Sequence, residues 1–338
     1  MWNIIQCAAQ GRSHISSEIP CQDKTFSYSD NGMSIIALAD GAGSARLSHF
    51  GAETVTEFVC CEISDQFDEY YAQTDAGYAA QQMMSGIEKT LEQKACELKC
   101  NVKELASTLL LAAVKDDRYI LIHIGDGVIG YYKNGEVKTA SQPDNGEFAN
   151  TTIFTTSKNA VASMKMLKGV LGDIKGFVLM SDGSEASLYD KRKKVPAQAL
   201  KKVMEMCTYI HLEKIREHLQ RDLENVIRYK TTDDCSLAIL MNSDDEFKGY
   251  LNLDREQKCK LLKIKIMTSS KICKRYDKTC KRYDNILSYL QKESSADELA
   301  RHIHLKRKFL NKYLTKLCAL NLVERVGANY KTILIMDI

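Results

Sequence analysis

Acidic residues flank short apolar runs at several places in this chain. Asp40, Asp126 and Asp182 follow such runs directly or one residue later, and each precedes Gly. Asp233 leads into the apolar run 236–241, and Asp23 heads another run. A carboxylate at the end of a strand can face a cleft while its backbone stays rigid, and an adjacent Gly lets a ligand approach closely. Because several such carboxylates would repel one another, their convergence predicts a bound cation, and oxygen-only ligands suit Mg²⁺ or Mn²⁺.

A plainer explanation of each Asp-Gly pair is a tight turn. Asp and Gly are both typical of turns between strands, so one pair taken alone needs no further explanation. Four acidic residues at predicted strand ends weaken this explanation, most of all at Asp182, which follows the apolar run 176–180. The set as a whole therefore favours a site over a series of turns.

The elements that must position these residues can be predicted from hydrophobic periodicity. Residues 2–10 and 33–39 are predicted strands, and apolar spacing predicts long helices from 48 to about 71 and from about 76 to 100. Further predicted elements are a meander of strands at 109–114, 119–124 and 128–132, a polar loop at 142–152, helices within 196–224 and a last strand at 236–241. Strands and helices come in blocks, which favours an α+β layered sandwich over a doubly wound sheet.

Six short motifs around these acidic residues resemble those of the protein phosphatase 2C family. They occur in the order and approximate spacing of that family. Their residues are most similar to those of a bacterial branch that has Gln-Asp and Asp-Gly-Ala-Gly-Ser. The resemblance covers about residues 2–241, and its strength lies in the ordered set, since each motif alone is weak. The motifs are Pro20-Cys21-Gln22-Asp23, Ala39-Asp40-Gly41-Ala42-Gly43-Ser44-Ala45, Ser107-Thr108-Leu109, His123-Ile124-Gly125-Asp126-Gly127, Ser181-Asp182-Gly183 and Thr232-Asp233-Asp234.

The resemblance implies a four-layer α-β-β-α sandwich of two antiparallel sheets flanked by helices, with two Mn²⁺ or Mg²⁺ ions at one end. Paired ions of this kind activate a water molecule, so no nucleophilic side chain is needed. By motif matching, Asp40, Asp182 and Asp233 would be catalytic ligands, with Asp40 bridging both ions and the other two completing the first ion's site. The carbonyl of Gly41 and the Asp23 carboxylate would serve the second ion. Asp126 would bind a third, weaker ion.

The chain departs from the family pattern at two positions. Many members have an Arg shortly before the first acidic motif to bind substrate phosphate, whereas here Arg12 and His14 lie further upstream. Either of these two residues could take that role. Many members also have a proton-donating His where this chain has Ala42. Another acid such as His14 could serve, water could serve, or turnover could be slow.

The bulk composition is that of an ordinary globular protein. Hydrophobic residues make up 44% and charged residues 27% of 338 residues, and no run of eighteen apolar residues and no secretory leader is visible. We therefore expect a cytoplasmic protein with no membrane association. The 12 cysteines include no Cys-x-x-Cys pair, which predicts reduced, mostly buried thiols rather than a zinc site.

The charge is distributed unevenly, which indicates two domains with different partners. The formal net charge is +3, but residues 255–338 carry about 20 Lys and Arg against about 8 Asp and Glu, so the remainder is acidic. We predict a catalytic domain at 1–250, a basic linker at 251–282 and a winged-helix-like domain at 283–338. The last is predicted from helices at 283–291, 295–302 and 306–320 and a hairpin formed by 322–326 and 330–336.

The helix predicted at 306–320 resembles the recognition helix of a helix-turn-helix protein. It carries Lys306, Arg307, Lys308, Lys312 and Lys316 around an apolar stripe, which would suit the phosphates of DNA. The alternative is a protein-docking module whose cations are only solvated. Both alternatives stay open.

The function predicted from these observations is a metal-dependent phosphatase acting on phosphoserine and phosphothreonine in protein substrates. The alternative is a DNA-binding or protein-docking regulator whose phosphatase-like domain is a weak or non-catalytic sensor. The acidic residues favour the enzyme, since a scaffold has no physical need for a cluster of repelling carboxylates.

Overall fold

The computed structural model describes residues 2–143, 152–242, 249–264 and 270–337 of the chain. These residues form two compact units, one of 2–205 with 215–242 and one of 206–214 with 243–338. None of the helices in the described ranges is both long and apolar enough to cross a membrane.

The first unit is built on two five-stranded antiparallel sheets. One sheet has the order β1-β12-β9-β6-β7 and the other the order β2-β3-β4-β5-β8. The strands are β1 (Trp2–Ala9), β2 (Lys24–Asp30), β3 (Met33–Ala39), β4 (Leu109–Lys115), β5 (Arg118–Ile124), β6 (Val128–Lys133), β7 (Glu136–Ser141), β8 (Lys165–Val170), β9 (Ile174–Met180) and β12 (Cys235–Asn242), with a separate two-stranded hairpin of β10 (Tyr189–Asp190) and β11 (Val195–Pro196).

Seven α-helices of the described residues accompany the two sheets. They are α1 (Arg12–Ser16), α2 (Ser48–Ala72), α3 (Ala76–Leu98), α4 (Ala160–Ser163), α5 (Asp182–Leu188), α6 (Gln198–Met206) and α7 (Leu212–Asp222). Helices α2 and α3 pack on the sheet that contains β3. On the other sheet, the Gln220 side chain of α7 donates to the carbonyl of Ala8 at 2.8 Å.

The two sheets pack face to face through an apolar core. Ile36 and Leu38 of β3 meet Phe177 and Leu179 of β9 and Leu240 of β12 in one buried cluster. Strand β3 is buried along its whole length because its other face lies under α2 and α3. This double burial is the reason for its continuous apolar sequence. The predicted α+β class and the two antiparallel sheets flanked by helices are confirmed.

Within the described residues, the second unit contains four α-helices and a three-stranded sheet. These elements are α8 (Arg255–Leu261), α9 (Ser270–Tyr289), β13 (Ser294–Ser295), α10 (Ala296–His302), α11 (Arg307–Ala319), β14 (Val323–Val326) and β15 (Asn329–Thr332). Ser295 caps α10 by accepting from the Glu298 amide, and the Ser295 amide donates to the Glu298 carboxylate in return, which completes a capping box. Strand β13 pairs with β15 and was not expected. The winged-helix character of this unit stays a prediction.

The structure differs from the predicted linker at 251–282. Residues 255–261 form α8, and α9 starts at Ser270, thirteen residues before the helix expected at 283. Leu262 and Tyr283 are buried in the same core as Leu310, so part of the expected linker packs into the second unit. Residues 206–214 also join this unit, where Ile335 donates its amide to the carbonyl of Tyr209 at 3.0 Å.

Candidate metal centre

The predicted acidic residues meet at one end of the two sheets because of strand pairing. Strands β2 and β3 pair with Lys24 opposite Ala39, which places Asp23 and Asp40 at the same end. Strands β9 and β12 pair with Met180 opposite Leu237, which brings Asp182 and Asp233 to one end of the other sheet. Asp126 lies in the connection between β5 and β6.

Three of these carboxylates form a compact cluster. Asp40, Asp126 and Asp182 each offer an oxygen within 4.8 Å of the others. Burial raises the pKa of Asp40 well above its usual range, and the charges of Asp23, Asp182 and Asp233 raise it further. The pKa of Asp182 is raised to about 6, first by burial and then by the charge of Asp126. The cluster is therefore a region of strong negative potential when its members are ionised.

Asp23 lies deeper than the other acidic residues, with only 2% of its surface exposed. Burial raises its pKa to about 7, and the charge of Asp234 contributes in the same direction. Both Asp23 carboxylate oxygens, and Oδ1 of Asp182, are buried with no hydrogen bond of ordinary geometry to any described residue. Such oxygens call for a cation, and a donor set of carboxylates alone fits Mg²⁺ or Mn²⁺.

The backbone around Asp40 is held firmly on both sides. The amide of Asp40 donates to Oγ1 of Thr108 at 2.9 Å, and the amide of Thr108 donates to the carbonyl of Asp40 at 2.8 Å. The amide of Gly41 donates to the carbonyl of Gln22 at 3.2 Å. These bonds fix the turn that carries Asp40, while the role of the Gly41 carbonyl stays a prediction.

Asp126 has a polar neighbour of its own. Oγ1 of Thr152 donates to Oδ2 of Asp126 at 2.5 Å. Thr152 closes the predicted polar loop 142–152, of which residues 144–151 lie outside the described residues. This hydrogen bond helps to orient the Asp126 carboxylate beside Asp40 and Asp182.

Asp234 is a buried residue whose importance the sequence analysis missed. Its carboxylate accepts from the amides of Gly11 and Gln22, both at 2.5 Å, and Nδ1 of His14 lies 3.0 Å from Oδ2. Asp234 thus joins segments that are more than 200 residues apart in sequence. The only available signal was its position next to Asp233, because its partners cannot be read from spacing.

Arg12 and His14, the predicted phosphate-binding residues, both lie against the segment that carries Asp233. His14, Asp233 and Asp234 form a second group with ligand atoms within 4.8 Å of one another. Arg12 is exposed, and its Nε donates to the carbonyl of Thr231 at 3.1 Å. Neither residue belongs to the group of Asp40, Asp126 and Asp182.

The structure also identifies Glu185 and Lys191 as neighbours of the cluster. Glu185 lies in the first turn of α5, three residues after Asp182, and its Oε2 is 2.9 Å from Nζ of Lys191. The hydrogen bond that Lys191 donates to Glu185 raises the pKa of Lys191, and the charges of Asp182 and Asp126 add to this. Neither residue could be singled out from the sequence, because only the fold brings Lys191 to Glu185 beside the cluster.

Ala42 occupies the position where a proton donor was expected from the family pattern. It is buried with Ala45 and Ala106 in a small apolar cluster. This position therefore has no side chain that can donate a proton, and any such donor must come from elsewhere.

Comparisons with known proteins agree with this geometry. Residues 10–225 match the model of the family described as Protein phosphatase 2C. A curated relative, Serine/threonine-protein phosphatase 3 of Escherichia coli (strain K12), is 25% identical over 169 residues, which are 48% of this chain. The match spans 66% of that relative's own length.

Solved structures resemble the same part of the chain. A crystal structure of a bacterial serine phosphatase is 15% identical with a TM-score of 0.52, covering 72% of this chain and 100% of the other. Serine/threonine phosphatase Stp1 from Staphylococcus aureus is 14% identical with a TM-score of 0.51, covering 72% of this chain and 96% of its own. At this level of identity the likeness supports the fold of the first unit.

Proposed function

The chain belongs to the protein phosphatase 2C family, and on that premise we propose that it is a metal-dependent phosphatase acting on phosphoserine and phosphothreonine in proteins. The observation that carries the proposal is the cluster of Asp40, Asp126 and Asp182, whose oxygens lie within 4.8 Å of one another. Without a cation these residues would repel one another in a site removed from water.

Two ions, Mn²⁺ or Mg²⁺, would be held by Asp23, Asp40, Gly41, Asp182 and Asp233, with a third, weaker ion at Asp126. When bound, such ions lower the pKa of a water molecule and offset the charge of the phosphoryl group. The orphaned oxygens of Asp23 and Asp182 support this donor set. Asp40, Asp182 and Asp233 would be the catalytic ligands, and Mn²⁺ is the ion to test first.

The chain's own contribution to substrate binding would come from Arg12 and His14. The Arg12 guanidinium is anchored through Nε on the Thr231 carbonyl, which orients it beside the Asp233 segment. Nδ1 of the His14 ring lies 3.0 Å from Oδ2 of Asp234, and the ring would offer a nitrogen to a phosphoryl oxygen or a leaving group. This arrangement would partly compensate for Ala42.

Hydrolysis of a phosphothreonine peptide by the full chain tests the proposal. We expect phosphate release with added MnCl₂, and loss of release in excess EDTA that Mn²⁺ restores. Release that persists in EDTA, or no release with any divalent ion, would contradict it.

A second function, DNA binding by the second unit, is favoured by one observation. Lys308 and Lys312 lie four residues apart on the exposed side of α11 and make no ion pair with any described residue. Arg307 instead pairs with Asp297, and Lys316 lies over the ring of Tyr283. The two unpaired lysines are available to phosphates of a duplex.

Duplex binding by the full chain tests this second function. Affinity should fall steeply as salt rises, and Lys308→Glu with Lys312→Glu should weaken binding and flatten the salt slope. The pair Lys201→Glu and Lys202→Glu on α6 is the charge-matched control. If the full chain binds no duplex even at low salt, the second unit is better treated as a protein-docking domain.

A further inference from the structure

We propose that the basic hairpin, defined as Lys191, Arg192, Lys193 and Lys194, binds acidic residues that flank the phosphorylated residue of a protein substrate. This inference rests on the proposed phosphatase function. It assigns the substrate class as phosphoproteins with Asp or Glu near the phosphorylated position.

The basic hairpin is tied to the carboxylate cluster through α5. This helix begins at Asp182 and leads directly into β10, after which the four cations form the turn to β11. Tyr189 pairs with Pro196 and Asp190 with Val195 across the hairpin. Glu185, which is 1% exposed, binds Lys191 at 2.9 Å, so the first cation of the turn is fixed to the same helix as Asp182.

The turn itself is rigidly held. Oδ1 of Asp190 accepts from the amides of Arg192 and Lys193, both at 3.0 Å. The amide of Lys194 donates to the carbonyl of Asp190 at 2.7 Å, and Oγ1 of Thr139 donates to the carbonyl of Lys194 at 2.8 Å. A preorganised turn loses little conformational freedom when a ligand binds to it.

The four cations of the hairpin are exposed, and all but Lys191 are weakly neutralised. Arg192 and Lys194 make no ion pair with any residue in the described ranges. Lys193 is 78% exposed and lies 3.8 Å from Asp190, a distance at which a surface ion pair contributes little. Cations that neither pair nor pack are available to an anionic partner.

The position of the hairpin favours an acidic peptide as that partner. When the phosphoryl group of a substrate lies at the Asp40, Asp126 and Asp182 cluster, the peptide on either side runs over the elements next to the cluster. An extended peptide covers about 3.3 Å per residue. Residues a few positions from the phosphorylated one are therefore within reach of the element that follows Asp182. Complementary surface charge of this kind raises association rates and selects among partners.

The test compares two phosphothreonine peptides, one flanked by Asp and Glu and one by Ala, with p-nitrophenyl phosphate as a small substrate. The wild-type chain should prefer the acidic peptide in kcat/KM at low salt. The double variant Arg192→Glu and Lys193→Glu should lose about tenfold on the acidic peptide, since two exposed charges are reversed, with little change on p-nitrophenyl phosphate.

The double variant Lys89→Glu and Lys175→Glu is the charge-matched control. Lys89 is exposed on α3, and Lys175 lies in β9 at the end away from Asp182. This control should keep the wild-type preference. Binding of a fluorescent acidic phosphopeptide in EDTA, followed by anisotropy, gives a readout that does not need turnover, and it should weaken only in the hairpin variant.

The outcomes separate this inference from the proposed function. Unchanged peptide preference and unchanged anisotropy in the hairpin variant would overturn the inference while hydrolysis of p-nitrophenyl phosphate still supports a phosphatase. If the wild-type chain does not hydrolyse p-nitrophenyl phosphate, the proposed phosphatase function is contradicted. The anisotropy measurement would then decide whether the hairpin binds the acidic peptide. A variant that loses duplex binding but keeps its peptide preference would assign the hairpin to nucleic acid instead.

Discussion

Two buried aspartates, Asp234 and Asp23, differ in their hydrogen-bond partners, and this difference indicates different roles. Asp234 is satisfied by two backbone amides and lies beside His14. Asp23 is equally buried, yet both of its oxygens lack a hydrogen bond of ordinary geometry among the described residues. A buried carboxylate without donors is costly unless a cation binds it. Asp234 therefore joins the chain segments, and the two Asp23 oxygens fit the proposed metal ion.

Asp126 is the proposed ligand of the third, weaker ion, which leads to a prediction about metal stoichiometry. Asp126→Ala should remove the weakest metal site and lower kcat by roughly tenfold or more, while the two tighter sites remain. Titration calorimetry with MnCl₂ measures the sites, and the exposed Asp65→Ala is the control. Loss of the tightest site would show that Asp126 is a core ligand instead.

The raised pKa values of the carboxylates predict how metal stabilisation depends on pH. The folded pKa of Asp23 is about 7 and that of Asp182 about 6, both above the ordinary value. Between about pH 4 and 7 the metal-free folded state therefore binds more protons than the unfolded state. The stability that these groups contribute is lost as the pH rises through this window. Metal ions compete with those protons, so they bind better at higher pH.

MnCl₂ should therefore raise Tm more at pH 7.5 than at pH 5, by roughly 3–5 °C. Thermal unfolding with and without Mn²⁺ at both pH values measures the difference. Equal shifts at the two pH values would argue against protonated carboxylates at the binding site.

At the scale of elements, the site depends on close packing between α5 and the segment before β12. A Cβ on Gly183 would collide with the carbonyl oxygen of Asp234, and one on Gly11 would collide with the backbone of Asp233. These contacts leave no room for a side chain. They set the separation of Asp182 from Asp233. Gly183 follows Asp182 and contacts Asp234, and Gly11 contacts Asp233.

Gly183→Ala should consequently disturb both stability and metal binding. Overpacking against backbone costs about 1–3 kcal/mol, and it would move Asp182 away from Asp233. Denaturant unfolding and Mn²⁺ calorimetry measure the two effects. The control is Gly43→Ala, since a Cβ there would have no atom within 4 Å. Equal behaviour of the two variants would contradict the packing argument.

The sequence predicted the long elements well because their periodicity is strong, as in β3 and α2. It did not predict β10, β11 or β13, since each has only two residues and cannot show a period. The convergence of Asp40, Asp126 and Asp182 was predictable because each follows an apolar run. Asp234 and Lys191 were missed because their roles depend on partners that only the tertiary fold brings near.

At the scale of the whole molecule, charge and packing both divide the chain in two. The basic residues of 255–338 belong to the unit of 206–214 with 243–338, whereas every predicted metal ligand belongs to the other unit. A single domain boundary at residue 250 could not place residues 206–214 in the second unit. These residues join that unit through pairing such as that of Ile210 with Leu334. The proposed chemistry and the proposed DNA contact therefore reside in different units and can be tested separately.

The most direct test of the metal centre is the substitution Asp40→Asn, measured by Mn²⁺ calorimetry and by phosphopeptide hydrolysis on one preparation. It removes a charge that interacts with the charges of Asp23, Asp182 and Asp233 while keeping the size of the side chain. We predict that tight Mn²⁺ binding is lost and that kcat/KM falls by roughly three orders of magnitude or more, with the fold intact by circular dichroism. Near wild-type Mn²⁺ affinity and turnover in this variant would contradict the assignment of these carboxylates as a catalytic metal centre.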